Sequence, residues 1–321
     1  MGYTFCTLFD RNYLFKGLAL HQSLTEHCSD FVLWILCMDD ETSQILERMD
    51  LKNVKLIRLV DFEDEALRKA RRERSPAEYC YTCTAPLILF VLEKETETEN
   101  VAYLDADLFF YSDPQPIYKE LGNESVLIIP HRFSPEYQFM ERESGIYNVS
   151  MVIFRQDRNG LECLNWWKEQ CLKACRFDPK IGLCYDQKYL DDWSTRFRDV
   201  HVLQHKGSGL APWNVLNYQL RKDKGRIYVD SDELIFYHFH SLQILKLFNK
   251  RMFLLSPTPG YRFTHRQRGL VYSPYVQELC RTIDKVRQAK PDFESGYTRV
   301  RFQRLTHEVI QPLLKGNLVI S

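Results

Sequence analysis

The sequence predicts an α/β chain built on a mainly parallel central sheet, with a helical extension at its C-terminal end. Strand-like and helix-like runs alternate through the first two thirds, the rhythm of parallel strands joined by helical crossovers. Beyond Pro257 the pattern turns helical, with Tyr275, Leu279, Ile283 and Val286 along one face. The chain has 321 residues, 45% of them hydrophobic, ample for one packed domain with an appendage. The expected division is 1–250 for the main domain and 251–321 for the extension.

YTFCTLF opens the chain as an apolar strand. A helix from about Leu14 to Glu26 follows, then the strand FVLWILCM, a helix through Ile45 and Leu46, and the strand VKLIRLV. The charged segment FEDEALRKARRERSPAEY precedes an amphipathic helix through Pro86 to Leu92, and the strand VAYL then runs into Asp105 and Asp107. After these come VLIIP, SMVIF, a helix carrying Trp166 and Trp167, YDQKYLDDW, the strand VHVLQ, the loop KGSGLAPWN, and LIFYHFHSLQ as the last strand. No internal repeat or low-complexity tract interrupts them.

Charge narrows the partners. The 43 basic and 43 acidic residues cancel, so nothing global attracts nucleic acid. From Tyr261 onward, however, 11 Lys and Arg stand against 5 Asp and Glu. Such a surface suits peripheral contact with anionic lipid on the inner membrane face, and an ordinary solvated basic face accounts for it equally well. The N-terminus enters a strand by Tyr3 without the layout of a signal peptide, and no apolar run approaches membrane-spanning length, so the expected location is cytoplasmic. Most of the ten cysteines, in a reducing compartment, read as buried thiols. Cys80 with Cys83 and Cys171 with Cys175 are too far apart in the chain for a compact zinc module, and core packing is the expected role.

The chemistry concentrates in VAYLDADLFFYSDP. On a strand, residues two apart point the same way, so Asp105 and Asp107 can share one cation. Two carboxylates this close repel unless a metal, a lysine or arginine, or water lies against them. Ligands in parallel sheets gather beyond the carboxyl ends of strands, where this pair falls. A phosphatase of the haloacid-dehalogenase type also carries a strand and DxD, but there the motif opens the fold, whereas about three strands precede it here.

Six blocks stand in one order: TLFDRNYLFKGLALHQSL, VAYLDADLFFYSDP, GIYNVSMVIF, CYDQKYLDDW, GLAPWN and FYHFHS. With them the chain, to about Gln243, resembles the family 8 glycosyltransferases and their bacterial nucleotide-diphospho-sugar transferase relatives. The resemblance implies a Rossmann-like glycosyltransferase-A domain, a donor usually linked to UDP, Mn²⁺ (or Mg²⁺) as cofactor, and retention of configuration. By resemblance, Asp105 and Asp107 ligate the metal, and Asp105 also reaches the ribose. Asp10 and Tyr13 belong to the nucleotide loop, Tyr13 stacking on the base. Asn148 faces the donor sugar, and Asp186 and Gln187 lie near the reacting carbon. The motif aligns His238 with the metal ligand and places His240 near the diphosphate, although both face one side of the presumed strand. Taken alone, Asp186 reads as a helix cap.

The chain departs from the family pattern at three places. Ser150 stands where relatives carry glycine, Ser241 and Leu242 follow His240, and CYTCTAPLILF offers no basic residue ahead of the DxD strand. The last leaves Lys206 and Lys246 as candidate partners for the diphosphate. The expected activity is metal-dependent transfer of a hexose to a hydroxyl on a glycan or lipid-linked acceptor. Its rivals are a non-catalytic nucleotide-sugar-binding module and a phosphatase acting through Asp105.

Overall fold

The computed structural model describes residues 2–247, 250–254, 260–299 and 318–320. Strand β1 (Tyr3–Phe9) leads through a short loop into helix α1 (Leu14–His27), followed by β2 (Phe31–Cys37), α2 (Asp40–Met49) and β3 (Val54–Arg58). The three strands pair in parallel. Gly17 lets α1 lie directly on the end of β1, since a Cβ there would run into the Phe9 ring. The charged stretch folds as α3 (Glu65–Glu73), and α4 (Pro76–Lys94) begins ten residues ahead of the expected Pro86. Its start is fixed by Ser75 and Glu78, which cap each other's backbone N–H groups.

Next come β4 (Asn100–Leu104), β5 (Leu108–Phe110), α5 (Gln115–Leu121), β6 (Val126–Pro130), β7 (Tyr147–Arg155), α6 (Arg158–Lys173) and β8 (Val200–Val202). The central sheet runs β8-β6-β7-β4-β1-β2-β3. It is parallel except at β7, which lies antiparallel between β4 and β6. Alternate residues divide between two cores: Phe5, Ala102, Leu104, Leu127 and Ile153 face α1, while Cys6, Val101, Tyr103, Ile128 and Phe154 face α4 and α6. Helices on both faces of a mostly parallel sheet are the expected α/β architecture.

The final third differs from expectation in detail. LIFYHFHSLQ is not one strand. Only β9 (Phe236–His238) is extended against β5, and Ser241 at φ 58° turns the chain into a hairpin of β10 (Gln243–Leu247) and β11 (Lys250–Leu254). That hairpin also pairs with Thr298–Arg299 and Leu318–Ile320. The expected C-terminal helix is α7 (Ser273–Ala289), with Tyr275, Leu279, Ile283 and Val286 all buried. It packs on α1, where the Thr282 hydroxyl donates to the Phe15 carbonyl at 3.2 Å. Among the described residues no helix is long and apolar enough to cross a membrane. Of the basic residues after Tyr261, Arg281 and Lys290 pair with Glu278 and Glu41, whereas Arg301, Arg304 and Lys315 lie outside the described residues.

One contact ties α7 to the β9 segment. The Tyr275 ring stacks on Phe239, centroids 3.7 Å apart and planes 20° off parallel, between the two histidines of HFH. Removing a fully buried ring leaves a cavity that the core only partly refills. Tyr275→Ala is therefore expected to lower unfolding free energy by about 3–5 kcal/mol in denaturant titration, and a loss below about 1 kcal/mol would contradict the packing described.

Candidate active site

At the end of β1 the chain makes a tight loop. The Asp10 carboxylate accepts from its own neighbours, the backbone N–H of Asn12 at 2.9 Å and of Tyr13 at 3.3 Å. This turn sets Tyr13 just ahead of α1, two-fifths exposed. One turn on, Lys16 brings its Nζ to 4.2 Å from the centre of the Tyr13 ring.

The two aspartates meet by a different route from the one expected. Strand β4 ends at Leu104, and Asp105 to Leu108 is a turn closed by the Leu108 N–H donating to the Asp105 carbonyl at 3.1 Å. The carboxylates thus converge across a turn and not along a strand. The third member comes from β9, which pairs antiparallel with β5 so that His238 lies opposite Leu108. Beyond the last pair, the Phe239 N–H donates to the Asp107 carbonyl at 2.9 Å.

His238 Nε2 lies 3.1 Å from Asp107 Oδ1 and 3.7 Å from Asp105 Oδ2. One ligand atom from each of Asp105, Asp107 and His238 falls within a span of 4.8 Å. Two oxygens and one imidazole nitrogen suit a hard to borderline divalent ion, so the residues present fit a Mn²⁺ or Mg²⁺. The groups that can offset this charge are His238 and Lys16, whose Nζ lies 3.6 Å from Asp107 Oδ2 with both side chains buried. Burial alone would raise the Asp107 pKa, but His238 and Lys16 outweigh it and hold the carboxyl below its ordinary value. Asp105 is pushed up by burial, only partly relieved by His238, with the Asp107 charge adding to the rise. Burial disfavours charge on His238 as well, yet the two carboxylates raise its pKa. A metal would displace that proton.

Asp105, Asp107 and His238 form the floor of a cavity of about 540 Å³ whose wall includes Asp10, Tyr13, Asn148, Asp186, Gln187 and His240. All nine residues that the family resemblance places at the site therefore border one space. His240 stays outside the ligand triad, its ring edge-on to Trp213 at 5.4 Å. Burial, and then the His238 charge, lowers its pKa to about 4. Ser150 does not disturb the path of its strand: its N–H donates to Asn148 Oδ1 at 2.8 Å, and its carbonyl accepts from Asp105 N–H at 2.8 Å.

Two sequence readings fail. The Asp186 side chain makes no capping bond. Lys206 pairs with Asp230 at 3.0 Å and Lys246 with Glu294 at 2.7 Å, and neither borders the cavity. The cation at the site is Lys16, which spacing did not reveal because a lysine on the third residue of a helix ordinarily snorkels to water. His131 was also missed. Its Nδ1–H donates to the Gly145 carbonyl at 2.9 Å, which leaves Nε2 to accept from Asn148 Nδ2 at 3.4 Å. The block GLAPWN holds it in place, because Trp213 Nε1 and Asn214 Nδ2 both donate to the His131 carbonyl. All ten cysteines are free thiols, and among the described residues only Asp105, Asp107 and His238 form a metal-sized group.

Asp186 is 2% exposed, and its Oδ2 has no hydrogen-bond partner among the described residues. Burial first, and then the charge of Asp105, raises its pKa from 3.8 to about 8 against a bond from Thr84. Between those values the folded chain holds a proton that the unfolded chain has lost. The resulting stabilisation is full below about pH 4 and is lost as pH rises through about 8. In chelator-treated protein, Asp186→Asn should gain Tm over the unsubstituted chain by several degrees more at pH 9 than at pH 5. A pH-independent difference would show that Asp186 ionises normally.

No protein-family model matches the chain. Two proteins of Bacillus subtilis (strain 168) do. Uncharacterized protein YfnD is 33% identical over 298 residues, 91% of this chain and 94% of its own length. Uncharacterized protein YfnF is 32% identical over 300 residues, again 91% of this chain and 97% of its own. Among solved structures, the galactosyltransferase LgtC in complex with donor and acceptor sugar analogues aligns with a TM-score of 0.50 at 11% identity, over 95% of this chain and 99% of that one. The chain belongs to the family of YfnD and YfnF, and its architecture is the glycosyltransferase-A fold that LgtC also has.

Proposed function

We propose that this protein is a metal-dependent glycosyltransferase that moves a hexose from a nucleotide diphosphate, UDP being the expected carrier, to a hydroxyl acceptor with retention of configuration. The observation that carries the reading is the triad Asp105, Asp107 and His238 in a cavity that Tyr13, Asp186 and Gln187 also line. A bound Mn²⁺ supplies Lewis-acid neutralisation of the diphosphate as the sugar departs.

The chain's own residues do the placing. Tyr13, on the rim and partly exposed, stacks on the base, and Asp105 reaches the ribose. Asn148, clamped through its Oδ1 by Ser150 and through its Nδ2 by His131, presents a fixed amide to the sugar. Asp186 keeps its proton at neutral pH and so can donate to a sugar hydroxyl as well as accept from one. Gln187 has its amide nitrogen bound to the Ser144 carbonyl at 2.8 Å, which leaves its oxygen free to be aimed by that bond. The acceptor hydroxyl belongs, in this reading, to a glycan or a lipid-linked carrier, and the reaction is cytoplasmic. The fold speaks against a haloacid-dehalogenase-type phosphatase, because here the DxD follows the fourth strand of the sheet.

The test is a panel of nucleotide sugars with and without Mn²⁺, scored for nucleotide diphosphate release. Release only with metal supports transfer chemistry. Binding without turnover selects the non-catalytic module, and phosphate release from simple esters selects the phosphatase. Asp107→Asn should lower Mn²⁺-dependent release by more than about a hundredfold while circular dichroism shows the fold intact. His238→Ala should raise the Mn²⁺ concentration for half-maximal release by about tenfold or more, and His240→Ala far less. The reverse order would move the ligand role to His240.

A further inference from the structure

The helix ahead of the Asp105 turn carries no basic residue facing a diphosphate, and the two lysines that sequence offered are paired elsewhere. Lys16 is the ammonium that the fold delivers instead. Gly17 brings α1 hard against Phe9, and the side chain of Lys16, 6% exposed, is thereby inserted between the Tyr13 ring and Asp107. It does not border the cavity, so it acts from behind Asp107 and Tyr13.

We propose that Lys16 is the resident cation of the donor site, a positioning residue that ties the base platform Tyr13 to the metal ligand Asp107 and adds positive potential for a nucleotide diphosphate. This rests on the glycosyltransferase reading and deepens it. A divalent ion bound by Asp105, Asp107 and a neutral His238 leaves those groups close to neutral overall. The buried ammonium then makes the loaded site net positive, in surroundings where charge is poorly screened. The same ammonium opposes the metal, since it is a like charge beside one ligand and partly satisfies that carboxylate in advance. Lys16 thus has opposite effects on two ligands. A residue that merely filled space would weaken both together.

The experiment uses the full chain and two probes, Mn²⁺ alone and UDP at saturating Mn²⁺, each titrated by calorimetry. Relative to the unsubstituted protein, Lys16→Met should bind Mn²⁺ roughly threefold to tenfold more tightly and UDP roughly threefold to tenfold more weakly. Lys16→Arg, which keeps the charge, should restore UDP affinity. Should the Met variant fail to fold, Lys16→Gln carries the same expectation. Losses in both affinities, or no change in either, would overturn the role of Lys16. An unsubstituted protein that binds neither Mn²⁺ nor UDP would overturn the glycosyltransferase reading, and this inference with it. The two failures are therefore distinguishable.

Discussion

Two carboxylates, the buried Asp107 and the partly exposed Asp105, share one turn, and much of the site's construction answers their mutual repulsion. A fold cannot hold such a pair without positive charge close by, because desolvation strengthens repulsion between like charges. The chain supplies His238 at 3.1 Å from Asp107 and Lys16 at 3.6 Å, from elements more than two hundred residues apart. Each needs its own support. The β5–β9 pairing fixes His238, and the Tyr275 ring on Phe239 fixes the segment that carries it. The C-terminal helix is thereby part of the site's foundation, although it donates no ligand among the described residues.

A second layer of hydrogen bonds holds the far wall. Trp213 and Asn214 grip the His131 carbonyl, the His131 ring orients Asn148, and Asn148 joins back to Ser150, whose carbonyl receives the Asp105 N–H. Four chain segments are connected by this one path. Its members are buried and satisfied, which makes the geometry rigid where a sugar would be oriented. Asp186 is the opposite case: a buried carboxyl with an unpartnered oxygen, held protonated by its surroundings. Such a group costs stability at alkaline pH and has no evident structural use, which is the usual mark of a residue kept for chemistry.

The sheet was legible in the sequence because its strands are buried on both faces and read as continuous apolar runs. The position of Asp105 and Asp107 was legible for a related reason: charge placed at the end of VAYL interrupts a pattern that core packing alone would continue. What could not be read was local chain direction. Period-two alternation suggested that the carboxylates share a strand face, but Leu104 ends the strand and a turn brings them together. The same argument put His238 and His240 on one face without separating them; the family motif aligned His238 with the ligand position, and the pairing with β5 sets it against the carboxylates. Lys16 escaped because its burial depends on Gly17 meeting Phe9, a tertiary fact without periodic signature. His131 escaped because it lies in a loop, and its partners come from the distant block GLAPWN, a tertiary fact without periodic signature.

The central claim is that Asp105, Asp107 and His238 form one metal site at the floor of the cavity. Anomalous diffraction from crystals soaked in Mn²⁺ and UDP tests it most directly. One strong Mn peak in contact with all three side chains is expected, with the diphosphate completing the coordination. A peak at another cluster, or ordered UDP with no metal between it and Asp107, would contradict it.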